Sequence, residues 1–422
     1  MSKIKKDILW TIDFFLVWQG LLISCLGDTA YNIVLGFWVL QVTGSTAIMG
    51  TLMAVSTLLG IVVLPFAGVW IERLNRKYLL ISMDVVRGIS MLLITLAAFT
   101  NLLTVWMVFA AGIIISISGA VFRPCVNTAV PEMVPVTRLT NANSILLIAS
   151  TGSNILGNVI GGYLYQLLGA PILFLANGLS YLLSGSSLTF ARVPKIKTKK
   201  QQNFFSDMKD GFHFMWKQKG LRYLLMLTAL VNFFSYVAIV LFLPLFQRTS
   251  YLGAGRYGVA MACFMGGSML GFSLTTVLAI PQQKRSVIYI FSNIFSNVCL
   301  IIALNQHIFA LMIPFIFVGG FLNAIYNVIM ISTIQATTPS EMRGKVMAFT
   351  NMSTQCLTPF AMAFGGFLAL YFPTKGIINV SLMIIVIAIS LFAFVKPFTG
   401  YIGYKENAVL EGDQLLREKY IK

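Results

Sequence analysis

Twelve mostly apolar stretches separated by short polar turns run through this chain. Their approximate limits are 14–42, 47–71, 79–100, 103–122, 140–168 and 171–191, then 221–247, 256–280, 287–304, 308–334, 346–371 and 375–395. Each is near or above the ~20 residues that an α-helix needs to cross a hydrocarbon core. The pattern predicts an all-α membrane protein of twelve transmembrane helices in two groups of six. The first stretch follows a basic amino terminus, yet it is too long for the apolar region of a signal peptide and carries Asp28, so it is expected to be retained.

Charge then fixes the orientation. If every stretch spans, 26 of the 30 lysines and arginines fall in gaps on one face. They are Lys3, Lys5 and Lys6; Arg73, Arg76 and Lys77; Arg123 and Arg138; nine between Arg192 and Arg222; Lys284 and Arg285; Arg343 and Lys345; and Lys396, Lys405, Arg417, Lys419 and Lys422. Arg248, Arg256 and Lys375 lie on the other face, and Arg87 lies within a stretch. By the positive-inside rule this predicts a multi-pass protein of the plasma or inner membrane with both termini cytoplasmic.

Composition agrees. With 58% hydrophobic and 10% charged residues, a water-soluble fold would expose large apolar patches. The net charge of +17 does not point to nucleic acid, because the bases flank apolar stretches rather than forming a separable domain; anionic inner-leaflet lipid is the simpler partner. The five cysteines, Cys25, Cys125, Cys263, Cys299 and Cys356, stand singly, which argues against a disulfide framework or a metal site. No cofactor is expected.

The longest polar segment, 192–220, joins the two groups. Its Phe205, Met208, Phe212 and Met215 recur at helical spacing, so it forms either an interfacial helix or a plain linker. The expected organisation is a bundle over 1–191, this segment, a second bundle over 221–396 and a cytoplasmic tail over 397–422. The halves resemble one another: Pro131-Glu132-Met133 opens an inner loop that leads to Gly161-Gly162, and Pro339-Ser340-Glu341-Met342 leads to Gly365-Gly366. Duplicated six-helix bundles are a known plan for secondary transporters.

Between the second and third stretches stands Gly68-x-x-x-Glu72-Arg73-x-x-Arg76-Lys77, followed by Asp84-x-x-Arg87. Here the chain resembles the major facilitator superfamily, with Glu72 in place of the usual aspartate and Asn75 in place of the usual glycine, where asparagine tolerates a left-handed turn. The resemblance implies an inner gate in which one acid and three bases lock helix ends together and release them during transport. Glu72 would sit near the start of the eleventh helix, close to Arg343 and Lys345. Gly152-x-x-x-x-Gly157-Asn158-x-x-Gly161-Gly162 is similar to the exporter signature of the family, with Asn158 where a proline belongs. Such glycines serve either as a pivot or as close packing alone. The resemblance is closest to the drug-exporting branch that includes macrolide efflux proteins, carried also by Thr43-Gly44-Ser45, Phe122-Arg123-Pro124, Arg192-Val193-Pro194-Lys195 and the segment from Pro339 to Val346.

Asp28 lies midway along the first stretch, where a charged carboxylate costs about 2.5–3.5 kcal/mol even on a lenient insertion scale. Such a group is expected to face a cavity and, since desolvation favours its neutral form, to pick up and lose a proton. A structural role between helices, or pairing with Arg87, is the alternative. Tyr31 and Asn32 follow at helical spacings and could share its face; Asn323, Tyr326 and Asn327 repeat the arrangement, and Asn154, Asn232, Tyr236 and Gln355 add further polar groups. Each serves either as ligand contact or as a hydrogen bond between helices. Asp84 and Arg87, three apart, form either a closed structural pair or one in which Arg87 switches toward Asp28 or an inner-loop acid during transport.

No catalytic spacing accompanies His213 or His307, and no nucleotide-binding loop is present, so an enzyme is not expected and an ion gradient is the remaining energy supply. The expected protein is a monomeric secondary transporter that exchanges protons for a small-molecule substrate by alternating access. Rival readings are an exporter of an endogenous metabolite, siderophore or peptide, and a non-transporting binding or regulatory protein on the same fold.

Overall fold

Caps and turn residues set where each apolar stretch becomes a helix. The computed structural model describes residues 10–134, 139–193, 213, 216–277, 281–338, 346–347, 350 and 355–403. Helix α1, Ile12–Thr43, begins at Thr11, whose Oγ1 accepts from the Phe14 amide at 3.2 Å. It ends at Gly44, where φ is 64°, a left-handed conformation that glycine adopts without steric cost. The next residue, Ser45, caps α2, Thr46–Arg73, so two adjacent residues close one helix and open the next. Helix α3 is Arg76–Phe99 and α4 is Val105–Met133.

The fifth and sixth stretches form α5, Leu139–Phe190, two helical limbs separated by non-helical backbone at Gly169 (φ 74°, ψ 179°). Pro171 follows, and without an N–H it begins a helix more readily than it continues one. Then come α6, Lys219–Arg248, and α7, Ala254–Val277, joined through Gly253 (φ 89°). A 3-10 turn at Gln282–Lys284 leads into α8, Arg285–Asn305. After it follow α9, Phe309–Thr337; α10, Thr358–Leu368; α11, Thr374–Phe392; and α12, Lys396–Ile402.

Every regular element among the described residues is helical, and ten helices are long and apolar enough to cross a membrane. Two crossing lengths lie in α5, on either side of Gly169, and α10 falls in the expected eleventh stretch. Residues 346–347, 350 and 355–356 of that stretch are helical as well. The twelve apolar stretches are thus helices of a multi-pass membrane protein.

Two boundaries differ from expectation. Helix α4 does not stop at 122: Phe122-Arg123-Pro124 and Pro131-Glu132-Met133, expected in a loop, are helical. Mean hydropathy falls there because of Arg123, Asn127 and Thr128, but Phe122, Cys125, Val126, Ala129, Val130 and Met133 keep one apolar face at helical spacing, and that face is buried. Residues 396–402 are likewise not plain tail. Phe398 and Ile402 of α12 are fully buried, with the Phe398 ring 6.0 Å from Tyr289 and 5.7 Å from Phe392. The stretches around Phe205, Met208, Phe212 and Met215, Arg138, and Pro339 to Lys345 lie outside the described residues.

Two compact units emerge, one of Met1–Lys199 with Phe242–Ala262, the other of Lys200–Leu241 with Cys263–Lys422. In the first, α1 and α3 pack along α5, and α4 packs against α2 and α3; Phe14, Val17, Leu80, Val121, Cys125, Val130 and Leu188 form its core. In the second, α8 packs against α9 and α11, and α12 touches α8 and α9. Side chains such as Leu93, Leu183, Phe190, Val380 and Leu391 are exposed on the helix exteriors, an apolar surface suited to lipid.

Candidate functional site

The helices of the first unit gather a set of ionisable and hydroxyl side chains around Asp28. The Asp28 side chain, near the middle of α1, is 18% exposed. Its Oδ1 accepts a hydrogen bond from the hydroxyl of Tyr181 on the second limb of α5. Its Oδ2 lies 3.9 Å from Nη2 of Arg123 on α4, whose side chain is 57% exposed. The two edges of the carboxylate are therefore unlike. One meets a fully buried hydroxyl; the other faces a half-open cation at the outer limit of an ion pair, the kind of contact that contributes little by itself.

Behind Tyr181 is a closed pair of charges. Arg87 donates to Asp84 on the same helix, and both are buried. Ser184, one turn beyond Tyr181, donates to Asp84 Oδ2 at 2.6 Å. The Arg87 guanidinium lies 4.6 Å from the Phe122 ring centroid and 4.4 Å from that of Tyr181, so two aromatic faces replace water around it. A charged pair inside apolar helices is tolerated when its hydrogen-bonding capacity is met in this way. Of the two arrangements open for Asp84 and Arg87, the closed one is present, with Tyr181 touching both the pair and Asp28.

The residues expected to form an inner gate lie within the same unit. Arg76 Nη1 donates to the Thr128 carbonyl of α4 at 2.9 Å, and Lys77 Nζ donates to the Thr189 carbonyl near the end of α5 at 2.5 Å. Cations on one turn thus fasten two neighbouring helices, and cations suit the carbonyl end of a helix. Arg73 is exposed. Gly68 and Glu72 belong to α2; the surroundings of the Glu72 side chain lie outside what is described. Asn75 does not make the expected left-handed turn. Its φ is −71°, and its Oδ1 caps α3 by accepting from the Lys77 amide at 3.1 Å.

Glycines of the fifth stretch differ among themselves. A methyl group added at Gly157 would meet Thr29, one at Gly161 would meet Ala30, and one at Gly162 would stand 2.3 Å from the Ala254 carbonyl oxygen. Gly152 has nothing within 4 Å. Close approach thus explains three of the four, and Asn158 bonds back to the Asn154 carbonyl at 2.7 Å within its own helix.

The remaining candidates divide by partner. Tyr31 does not share an open face with Asp28 and Asn32: it is buried beside Phe174, ring centroids 6.1 Å apart, whereas Asn32 is exposed. Asn154 Oδ1 accepts from Thr29 Oγ1 at 2.7 Å, tying α5 to α1. In the second unit, Asn323 Nδ2 donates to Tyr326 at 2.6 Å and Asn327 Nδ2 to the Asn323 carbonyl at 2.9 Å, so that trio is bonded within itself. Asn232 bonds back to Thr228, Tyr236 is half-buried, and Gln355 is exposed.

Sequence reasoning passed over Tyr181 and Ser184 and counted Arg123 only as an inner-loop charge. Asn177, Tyr181 and Ser184 recur at spacings of four and three on a mostly apolar stretch, which places them on one helical face.

Helical bundles of this length and polarity, with buried charges confined to a few partnered positions, are those of a multi-pass membrane transporter. The sequence pattern that defines the Major Facilitator Superfamily matches residues 17–285. The chain belongs to this superfamily and is a transporter, not an enzyme. It is 24% identical over 365 residues to macrolide efflux protein A of Streptococcus pyogenes, covering 84% of this chain and 88% of that one. Macrolide efflux protein A of Enterococcus faecalis is 25% identical over 327 residues, 74% of this chain and all of that one. Among solved structures, the nucleoside transporter NupG has the same fold, with a TM-score of 0.71, 16% identity and coverage of 94% of this chain and 100% of the other.

Proposed function

We propose that the chain exports small amphipathic compounds in exchange for protons, by alternating access, with Asp28 as the proton carrier and both termini in the cytoplasm. The observation that carries this reading is the lone carboxylate in the middle of α1, held on one edge by Tyr181 and facing a half-exposed Arg123 on the other. A mid-helix carboxylate that served only to join helices would be closed by donors on both edges, as Asp84 is. Asp28 keeps one edge in an open contact, where a proton, Arg123 or a cationic substrate can compete for it. The relatives' names make macrolides the first compounds to test, and the distribution of basic residues supports the orientation.

The test is export of erythromycin and a panel of amphipathic amines from cells, with and without an uncoupler, followed by transport in vesicles under an imposed pH gradient. The expected result is lower accumulation that vanishes on uncoupling, and loss of proton-dependent exchange in Asp28→Asn. Undiminished proton-driven exchange by that variant removes Asp28 from the mechanism; greater accumulation in cells carrying the chain reverses the direction.

A further inference from the structure

We propose that Tyr181 is the positioning residue for Asp28: its hydroxyl pins Oδ1, so that Oδ2 alone, on the Arg123 side, is free to take up and give back the proton. This rests on the reading of Asp28 as the proton carrier. It goes further by naming which oxygen exchanges and what holds the other still.

Three observations support it. The Tyr181 hydroxyl donates to Asp28 Oδ1, and Tyr181 itself is fully buried. Its ring cannot swing away without exposing Arg87, because the guanidinium is stacked between this ring and Phe122 at 4.4 and 4.6 Å. Arg87 is in turn fixed by Asp84, and Asp84 by Ser184 at 2.6 Å. The hydroxyl is therefore carried by a ring that packs against a buried, hydrogen-bonded group of side chains, with its donor aimed at one carboxylate oxygen. Arg123 contrasts with it, being 57% exposed and 3.9 Å from Oδ2, at liberty to leave when that oxygen is protonated.

The charged and titratable groups that act on Asp28 come from its own helix and from α3, α4 and α5. They are Cys25 and Tyr31 on α1, Asp84 and Arg87 on α3, Arg123 on α4 and Tyr181 on α5. Of these, only Tyr181 has a hydrogen bond to the carboxylate. A donor that bonds to a carboxylate favours its charged form. Removing this one therefore favours the protonated form and leaves the carboxyl carbonyl without its donor.

Tyr181→Phe isolates the hydroxyl, since the ring remains over Arg87. The full chain is purified, reconstituted in liposomes and titrated by infrared difference spectroscopy, the protonated-carboxyl band being assigned to Asp28 by its loss in Asp28→Asn. In Tyr181→Phe the band is expected at higher frequency, and the pH at which half of it has developed rises by about one to two units, the strength of one hydrogen bond to a charged group. Arg123→Gln also raises that pH but leaves the band frequency in place, because the Oδ1 bond survives. A band and midpoint in Tyr181→Phe identical to those of the parent overturn the positioning role and leave the Asp28 reading standing. No carboxyl band lost in Asp28→Asn overturns both. Should Tyr181→Phe fail to fold, Arg123→Gln decides: a frequency change there places the exchanging oxygen on the wrong edge and sinks the proposal.

Discussion

Breaking the Arg87–Asp84 pair is the most direct test of how the first unit is held together. Both side chains are buried, at 2% and 0% exposure, and the guanidinium lies against the rings of Phe122 and Tyr181. Arg87→Met keeps the length of the side chain but leaves Asp84 with Ser184 as its partner. Asp84→Asn leaves a guanidinium between two rings with no counter-charge. Removing one member of a buried pair costs about 3–5 kcal/mol, because the survivor stays desolvated and uncompensated. The double variant Asp84→Asn/Arg87→Met removes both charges, so about 2 kcal/mol or more of the combined single losses should return as coupling energy. Equilibrium unfolding of the purified protein in mixed detergent and SDS micelles measures all three. Singles that each cost less than about 1 kcal/mol, or a double equal to their sum, refute the account of the pair as a closed structural unit. Exchanging the two charges is not a rescue here. It would place a carboxylate against the electron-rich faces of Phe122 and Tyr181, where a cation belongs.

The other predictions concern packing. Gly162→Ala and Gly258→Ala should each destabilise by about 1–3 kcal/mol and reduce the yield of folded protein, since the added methyl would stand 2.3 Å from the Ala254 oxygen and 2.0 Å from the Asn158 oxygen. Gly152→Ala, in the same motif but with nothing within 4 Å, should be neutral or stabilising by up to about 1 kcal/mol in the same unfolding assay. Ending the chain at Val395 should weaken the second unit by about 3–5 kcal/mol, the scale of losing one buried Phe, because it removes Phe398, Ile402 and the 2.5 Å contact of Tyr401 with Thr337. A truncated chain with unchanged thermal stability in detergent would show that α12 is only tail.

The helices were legible because a bilayer demands length and apolarity of every crossing, a signal that survives local exceptions. The fifth and sixth stretches were likewise legible as 140–168 and 171–191, and the break in helical geometry falls between them, at Gly169. What escaped was information carried by faces rather than averages. The end of α4 read as a loop because Arg123, Asn127 and Thr128 dilute its hydropathy, although its buried face continues without a break to Met133. Asp28 stood out as a single charge on an apolar stretch, whereas Tyr181 and Ser184 are ordinary residues until the fold sets them against Asp28 and Asp84. Asn75 shows the same limit from the other side: its place in a motif suggested a left-handed turn, but its side chain serves as a cap.

The two units handle buried polarity in different ways. In the first, α3 carries Asp84 and Arg87, which neutralise each other, and α4 and α5 surround the pair with a hydroxyl donor and two aromatic rings. In the second, α8 begins at Arg285 as α3 begins at Arg76, and the buried positions that follow are occupied by Tyr289, Ser292, Asn293, Ser296 and Asn297. The bonds among these are neutral: Asn297 Nδ2 donates to the Asn293 carbonyl at 2.8 Å and Ser296 Oγ to the Gly319 carbonyl at 2.8 Å. Neutral bonds of this kind hold helices together at any pH of physiological interest, since amides and hydroxyls do not titrate there. Among the described residues, every aspartate and glutamate belongs to the first unit. Within that unit Tyr181 joins Asp28 to the buried pair, its hydroxyl on the carboxylate and its ring against the Arg87 guanidinium.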